Sequence, residues 1–224
     1  MNKKLKLLIL ADVLIISSFG LIAPIFAVFI KEDIVGGNLV MAGLAIAIFW
    51  IVRSAAQIPL SRYLIDKDKH KTRLLLAGTF LIFLVPFIYM MAKHVNTIFL
   101  AQTVYGLGTA LAHPSWFSLF TTYMDKRHKG YDFSIWSGGV GLGTALAAFA
   151  GAKIADSMGF KPLFFFVGGL ALIGLLILIV LDRIEGKEIR RKDRIRKIKE
   201  METKKRRAAF EKGKRRKMRK KSKR

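Results

Sequence analysis

The sequence predicts an all-α integral membrane protein with six transmembrane helices and a basic C-terminal tail. Of its 224 residues, 53% are hydrophobic, and yet its formal net charge is +24. A soluble domain of this size is rarely so apolar and so charged at once, so the two properties belong to different parts of the chain. Residues 183–224 contain 23 Lys and Arg against 6 Asp and Glu. We therefore place a transmembrane domain at residues 1–182 and a basic cytoplasmic tail at residues 183–224.

Six apolar runs, each long enough to cross a bilayer, make up the first domain. A hydrocarbon core about 30 Å thick needs about 20 helical residues. A helix buried in a soluble protein would show a polar face, which these runs lack. The runs, which we call spans 1 to 6, are residues 5–30, 39–63, 74–92, 97–123, 133–155 and 162–181.

Span 1 follows the basic segment MNKKLK, which is also typical of the start of a signal peptide. Its apolar stretch is longer than the core of about 7 to 15 residues that signal peptides have, and it contains Asp12. We therefore predict a transmembrane helix. Prolines in spans 1 to 4 remove backbone hydrogen bonds that neighbouring helices or cavity water must replace; they are Pro24, Pro59, Pro86 and Pro114.

The short connections carry their basic residues on alternate sides, which predicts the orientation. Eleven Lys and Arg lie before span 1, between spans 2 and 3, and between spans 4 and 5. The other three connections contain only Lys31, Lys93 and Lys161. Because positively charged loops stay on the cytoplasmic side, we expect both termini in the cytoplasm and a multi-pass protein in the cell (plasma or inner) membrane.

The composition argues against an enzyme that depends on a metal or cofactor. Without cysteine there is no disulfide, no thiolate nucleophile and no Cys-ligated metal. The four histidines, His70, His94, His113 and His128, do not have the spacing of a zinc site. We expect no enzymatic activity, no metal and no cofactor.

Three ionisable side chains lie at similar depth within the spans. A rise of about 1.5 Å per residue places Asp12, Arg53 and His113 about 10 to 15 Å from the cytoplasmic ends of spans 1, 2 and 4. A charge at that depth is costly unless it is paired or hydrated, so we predict an Asp12–Arg53 ion pair. This pair either locks spans 1 and 2 together or opens when a substrate or proton competes for one partner. His113 either accepts a proton or binds a carbonyl freed by Pro114.

The predicted substrate or ion pathway joins these groups to polar and aromatic residues of spans 2 and 4. It consists of Asp12, Arg53, Gln57, Gln102, His113 and Trp116. Further polar or aromatic groups on spans 4 and 5 are expected to contribute to the lining of a cavity: Ser115, Ser134, Trp136 and Thr144.

Small residues form stripes on spans 4 and 5 that predict close helix packing, because a neighbouring backbone can approach where side chains are absent. On span 5 they recur at every fourth position, at Gly139, Gly143, Ala147 and Gly151, and on span 4 they include Gly106 and Gly108. These stripes are either ordinary packing surfaces or surfaces that slide during a transport cycle.

The whole pattern of residues 5–181 resembles the N-terminal six-helix half of a major facilitator superfamily transporter. The strongest match is PLSRYLIDKDKHKTR at residues 59–73, similar to the family's signature between helices 2 and 3, roughly G-x-L-a-D-R-x-G-R-R. Arg62 and Lys69 stand where that signature has glycines. The resemblance implies a cytoplasmic gate formed by Pro59, Arg62, Leu64, Asp66, Lys67 and Arg73.

Two weaker matches accompany this signature. Residues 102–108 resemble a family element of helix 4, with Gln102 in place of its arginine. Residues 139–144 resemble an element of drug/proton antiporters, with Thr144 in place of its proline. The antiporter subclass is therefore not supported.

The resemblance implies a secondary transporter that moves a small solute by alternating access. Such transporters pair two six-helix halves around a site near mid-membrane. For this chain we expect a homodimer, or a heterodimer with a second six-helix half. The alternative is a non-transporting membrane protein, either a truncated remnant or an anchor whose basic tail binds RNA, the ribosome or anionic lipid.

Overall fold

The structure is a computed structural model that describes residues 2–62 and 71–221. The described residues form helices and no β-strand, which confirms the all-α prediction. The helices are α1 (Lys3–Gly20), α2 (Phe26–Asp33), α3 (Leu39–Leu60), α4 (Lys71–Met91), α5 (Val95–Tyr123), α6 (Lys129–Met158) and α7 (Phe160–Lys221). The chain divides into two compact units, Met1–Asp182 and Arg183–Arg224.

Several helix ends have a local chemical cause. The side chain of Asn2 accepts a hydrogen bond from the backbone N–H of Lys4, and Asn38 accepts one from Met41 at 2.9 Å, so each asparagine caps the helix that follows it. Gly159 has a φ of 81°, a left-handed conformation that glycine adopts without steric cost. This residue ends α6 and separates it from α7.

Span 1 is broken rather than continuous. A 3₁₀ turn at Ala23–Ile25 separates α1 from α2, and Pro24 lies at its start. Proline has no N–H to donate and its ring crowds the preceding turn, which explains the break. The three other prolines of spans 2 to 4 lie inside α3, α4 and α5 without ending them.

Five of the six predicted spans are both long and apolar enough to cross a membrane, as judged over the described residues. Span 4 forms the 29-residue helix α5 but is not among the five. Its polar residues lower its hydropathy, and several of them bond within the helix: Thr103, Thr109 and Ser115 each donate to a carbonyl four residues earlier. The helix of span 4 is therefore found, although its apolar character is weaker than expected.

Helix α5 packs between α3 and α4, and α1 packs against α6. Glycines allow these approaches: a Cβ on Gly106 would meet the carbonyl of Phe49 in α3, and one on Gly108 would meet the carbonyl of Gly78 in α4. A Cβ on Gly174 of α7 would meet Ile15 of α1. Close backbone approach through small residues is the usual way in which membrane helices associate.

The loops fall on two opposite sides of the first unit. On one side, Lys71 at the start of α4 donates to Ser118 near the end of α5 at 2.6 Å, and the Lys4 ammonium lies 5.5 Å from the Tyr123 ring centroid. On the other side, the backbone N–H of Val35 donates to the carbonyl of Lys93 at 2.9 Å. Within the described residues, the N-terminal segment and the start of α4 therefore lie near the end of α5, and the loop after α2 lies near the loop between α4 and α5.

The loop between α5 and α6 is held by its acidic residues. Asp132, which is 2% exposed, accepts a hydrogen bond from the backbone N–H of Asp125 at 3.0 Å. The Asp125 carboxylate accepts from the backbone N–H of Arg127 and contacts the His128 ring at 3.2 Å. These two hydrogen bonds hold the pKa of Asp125 below its usual value.

Helices α3 and α6 leave the largest apolar surfaces uncovered within the first unit. Leu142, Leu146 and Phe149 of α6 are 72%, 73% and 76% exposed, and Ile58 of α3 is 74% exposed. In a protein surrounded by lipid or by another helical unit, such surfaces are covered from outside.

The second unit contains the helical residues of α7 beyond residue 182. The helix extends to Lys221. No proline follows Pro162, and the tail is rich in Lys, Arg and Glu, which are good helix formers. Ile195 and Met201 in this unit are exposed.

Candidate functional site

A cavity of about 300 Å³ lies inside the first unit, between α1, α4, α5, α6 and α7. Its walls are mainly aliphatic and aromatic. Seven of its lining residues carry polar side-chain groups: Asp12, Thr79, Tyr105, Thr109, His113, Trp116 and Thr144. The predicted pathway residues Asp12, His113 and Trp116 thus surround one space.

Asp12 is the acidic group of this cavity. It is half-buried, and its carboxylate accepts a hydrogen bond from the indole N–H of Trp136 on α6 at 2.7 Å. Among the described residues Asp12 has no ion-pair partner. The indole donor partly replaces the water that a carboxylate would lose inside a membrane.

The predicted Asp12–Arg53 ion pair is wrong. The Arg53 guanidinium instead lies 4.9 Å from the centroid of the Trp50 ring and 6.0 Å from that of Phe49, so it rests on aromatic faces of its own helix. The prediction assumed that helices consecutive in sequence pack together at this depth. In the structure α1 packs against α6, and α3 packs against α5.

Aromatic rings form a continuous group beside Asp12. The Trp116 ring centroid lies 4.8 Å from that of Trp136 and 4.7 Å from that of Phe120. Across the cavity, Phe19 of α1 stacks on Tyr105 of α5 with centroids 4.5 Å apart. Asp12 thus lines a cavity with aromatic walls and bonds to the edge of one indole ring.

A second cavity of about 220 Å³ lies against the stacked rings of Phe19 and Tyr105. Phe19 and Tyr105 line both cavities, so their stacked rings lie between the two spaces. Gln102, which is 4% exposed, lines the second cavity together with Phe49 and Trp50 of α3. Arg53 and Gln57 are half-buried on α3 and line neither space.

Three buried polar atoms near the cavity have no hydrogen-bond partner within the described part of the chain. They are Ser17 Oγ, Trp116 Nε1 and Thr144 Oγ1. An unsatisfied buried group costs about 1 to 3 kcal/mol. They lie on α1, α5 and α6, and each could bond to water or to a bound solute.

The small-residue stripe of α6 lies directly against α1. A Cβ on Gly139 would meet Val13 at 3.2 Å, one on Gly143 would strike the Ser17 hydroxyl, and one on Gly151 would strike the carbonyl of Leu21. Ala147 occupies the same stripe beside Gly20. The stripe therefore sets how closely α6 approaches the helix that carries Asp12.

The predicted gate segment is only partly visible. Leu64, Asp66 and Lys67 lie outside the described residues. Pro59 is exposed within α3, Arg62 follows the end of that helix, and Arg73 is exposed in the first turn of α4. In the ranges 2–62 and 71–221, no group of three or more His, Asp or Glu side chains is placed to hold a metal ion.

Trp136 is the important residue that the sequence did not single out as part of the pathway. The sequence marks it as an aromatic residue of span 5, but the spacing within one span does not show which residue of another span it reaches. A buried indole usually finds an acceptor, and Asp12 is the one carboxylate predicted inside the first five spans. The tendency of a buried indole to find an acceptor could therefore have predicted the hydrogen bond between Trp136 and Asp12.

The chain resembles known transporters in sequence and in fold. The family model of the Major Facilitator Superfamily matches residues 8–221. An uncharacterized MFS-type transporter of Methanocaldococcus jannaschii is 26% identical over 158 residues, which cover 70% of this chain and 40% of that protein.

Two solved structures share the fold. A peptide transporter POT in complex with alafosfalin superposes with a TM-score of 0.70 at 19% identity, covering 82% of this chain and 39% of that one. The POT family transporter PepTSo gives a TM-score of 0.67 at 14% identity, covering 80% and 37%. The chain thus spans about two fifths of the length of these proteins. By the family match over nearly its whole length, the chain belongs to the major facilitator superfamily.

Proposed function

We propose that this chain is a secondary transporter, which moves a small solute through the membrane by alternating access. The observation that carries the proposal is the cavity of about 300 Å³ around Asp12, set within the fold of this family. A half-buried carboxylate within a span is rare unless it serves a pathway. One of the two solved structures is that of a peptide transporter, but at 19% and 14% identity the two structures support the fold of this chain and not its substrate.

In this proposal α1, α3, α5 and α6 line the solute path, and the basic segment around residues 62–73 forms the cytoplasmic gate. The α1–α6 interface is the moving part, because its small residues permit displacement without large side chains having to repack. The unpartnered hydroxyls of Ser17 on α1 and Thr144 on α6 support that role, since a second arrangement of the helices or a bound solute would give them partners.

A second six-helix unit completes the path, either as a second copy of this chain or as a separately encoded half. The exposed apolar faces of α3 and α6 support this pairing, because they flank the helices that carry the cavities. Parallel pairing is compatible with an even number of spans, which places both termini on one side of the membrane.

Alternating access is tested by the reach of a thiol reagent from each side. The chain has no cysteine, so a single substitution introduces the only thiol. Thr109 lines the cavity, and Thr109→Cys in membrane vesicles should react with an impermeant maleimide added from either side. Labelling from one side alone, under all ionic and solute conditions tried, would contradict alternating access.

Exposed loop residues provide the controls and test the orientation. Lys93→Cys should react only from the outside, and Lys126→Cys only from the cytoplasmic side, because the basic connections are expected to stay inside. Reversed labelling of both loops would overturn the proposed orientation but leave the test of the cavity intact.

The competing function is a non-transporting anchor whose tail binds RNA, the ribosome or anionic lipid. The 23 Lys and Arg of residues 183–224 favour it. A cavity that no solute or reagent enters, together with retained binding through the tail, would make this the better description.

A further inference from the structure

The cavity around Asp12 combines one acidic group with aromatic walls. Sixteen residues line it, and Asp12 is the one acid among them; neither Lys nor Arg takes part. Its other titratable lining residues are His113 and Tyr105. The fixed charge available to a ligand here is thus a single carboxylate.

We infer that this cavity binds an organic cation, with the positive centre of a protonated amine or quaternary ammonium beside Asp12 and its apolar body against the aromatic walls. The inference rests on the proposed function, because it names the substrate class of the transporter. It concerns the ligand alone, and it does not depend on how the two halves are paired.

The carboxylate itself supplies the first argument. Asp12 receives one hydrogen bond, from Trp136, and no cation from the described residues, so it has the capacity for a further partner. A carboxylate within a membrane span is costly until a positive group approaches it. The Arg53 guanidinium rests on the Trp50 ring and is not among the residues that line this space.

The walls supply the second argument. Phe19, Tyr105 and Trp116 all line the cavity, and aromatic faces attract cations in addition to covering apolar surface. A cation held by one carboxylate and several rings is the arrangement used for ammonium ligands generally. An anionic solute would meet the Asp12 carboxylate with no Lys or Arg among the lining residues to offset it.

The size and ligand set favour an organic cation over a metal ion. Hard divalent ions take six or more oxygen ligands, whereas this cavity offers one carboxylate and the hydroxyls of threonine and tyrosine. Thr109 already uses its hydroxyl within α5. A volume of about 300 Å³ is at the small end of organic ligand sites, and a bare ion would leave most of it empty.

Tryptophan fluorescence gives a direct binding test on the purified full chain. The protein has three tryptophans, of which Trp116 lines the cavity and Trp136 bonds to Asp12. A Trp50→Phe background removes the third. Titration with benzyltrimethylammonium should give a saturable change, whereas benzyl alcohol and benzoate, which share the aromatic body but are neutral and negative, should not.

Two variants assign the signal to the carboxylate. Asp12→Asn retains an oxygen acceptor for Trp136 but removes the charge, and it should weaken benzyltrimethylammonium binding by about tenfold or more. Asp156→Asn removes a carboxylate from the exposed end of α6 and should leave binding unchanged. Equal binding of benzoate or benzyl alcohol, or an unchanged affinity in Asp12→Asn, would overturn the inference. Displacement of the signal by sodium chloride but not by potassium chloride would also overturn it, because it would indicate a sodium site.

A second measurement applies if Asp12→Asn does not fold. Benzyltrimethylammonium should protect Thr109→Cys from maleimide in a chain that keeps Asp12, and benzoate should give no protection. The failure of this inference can be distinguished from the failure of the proposed function. If benzyltrimethylammonium binds but is not taken up into proteoliposomes, the inference stands and the proposed transport is contradicted. If other solutes are taken up but benzyltrimethylammonium does not bind, only the inference is contradicted.

Discussion

Ser17 and Ser18 are neighbours in α1 with opposite hydrogen-bonding states. Both are buried, at 9% and 0% exposure. Ser18 donates to the carbonyl of Ile15 at 2.7 Å, but the hydroxyl of Ser17 has no partner among the described residues. Alanine substitutions at the two positions therefore measure two different effects on stability: the loss of a hydrogen bond at Ser18 and the removal of a buried unsatisfied hydroxyl at Ser17.

We expect Ser17→Ala to raise the free energy of unfolding by about 1 kcal/mol, because it removes an unsatisfied hydroxyl and leaves almost no void. Ser18→Ala should lower it by about 1 kcal/mol through the lost hydrogen bond. Thermal unfolding of the detergent-solubilised variants measures both. Destabilisation by Ser17→Ala equal to that of Ser18→Ala would mean that the Ser17 hydroxyl is satisfied in the folded protein.

At this scale the sequence identified the chemical groups but not their partners. Charges and polar groups within apolar spans can be recognised from residue type, which is why Asp12, His113 and Trp116 were expected near a pathway. The partner of Asp12 depends on which helices are neighbours and on their rotation. The wrong Arg53 assignment shows that depth alone does not determine a contact.

Among the elements, α6 depends most on its small residues. Gly151 lies where a methyl group would strike the carbonyl of Leu21, whereas Gly141 on the same helix has no atom within 4 Å of the equivalent position. The two glycines therefore form a matched pair, one at a close contact and one facing open space.

Gly151→Ala should destabilise the protein by about 1 to 3 kcal/mol, because α6 must move away from the end of α1. Gly141→Ala should be neutral or stabilising by up to about 1 kcal/mol, since alanine is the better helix former. The free energies of unfolding of the two variants, measured under the same conditions, test this prediction. A similar effect at both positions would mean that the stripe is not what sets the α1–α6 distance.

Helix existence was well predicted because all six spans are long and five of them are strongly apolar over the described residues. The positions at which a proline interrupts a helix were less well predicted. Pro24 interrupts span 1, whereas Pro59, Pro86 and Pro114 lie inside helices. All four share the same chemistry, so the outcome depends on neighbours that can tolerate a freed carbonyl. The single sequence contains no direct signal for those neighbours.

For the whole molecule, the uncovered faces of α3 and α6 predict a partner. Chemical crosslinking in native membranes should yield a product of two transmembrane units, and differently tagged copies should co-purify if both are this chain. A product with a different protein would identify a heterodimer. Recovery of monomers alone would contradict pairing.

The tail predicts a separate interaction that depends on salt. Deleting residues 187–224 should abolish cosedimentation with ribosomes or with anionic vesicles, because most of the Lys and Arg of the tail are then missing. Binding of the full chain should weaken steeply as salt rises. Cavity labelling of Thr109→Cys should be unchanged by the deletion; a change would mean that the tail takes part in the transport cycle.

Helix α5 has a consequence for how the protein enters the membrane during synthesis. Within the described residues it is not one of the five helices that are long and apolar enough to cross a membrane, yet it packs between α3 and α4. We expect it to leave the translocon together with α4, as a hairpin held by the backbone contact between Gly78 and Gly108. A larger side chain at Gly78 or Gly108 would then first prevent the insertion of α5 into the membrane. The loop after α5 would lie on the wrong side of the membrane before any loss of folded protein could be measured.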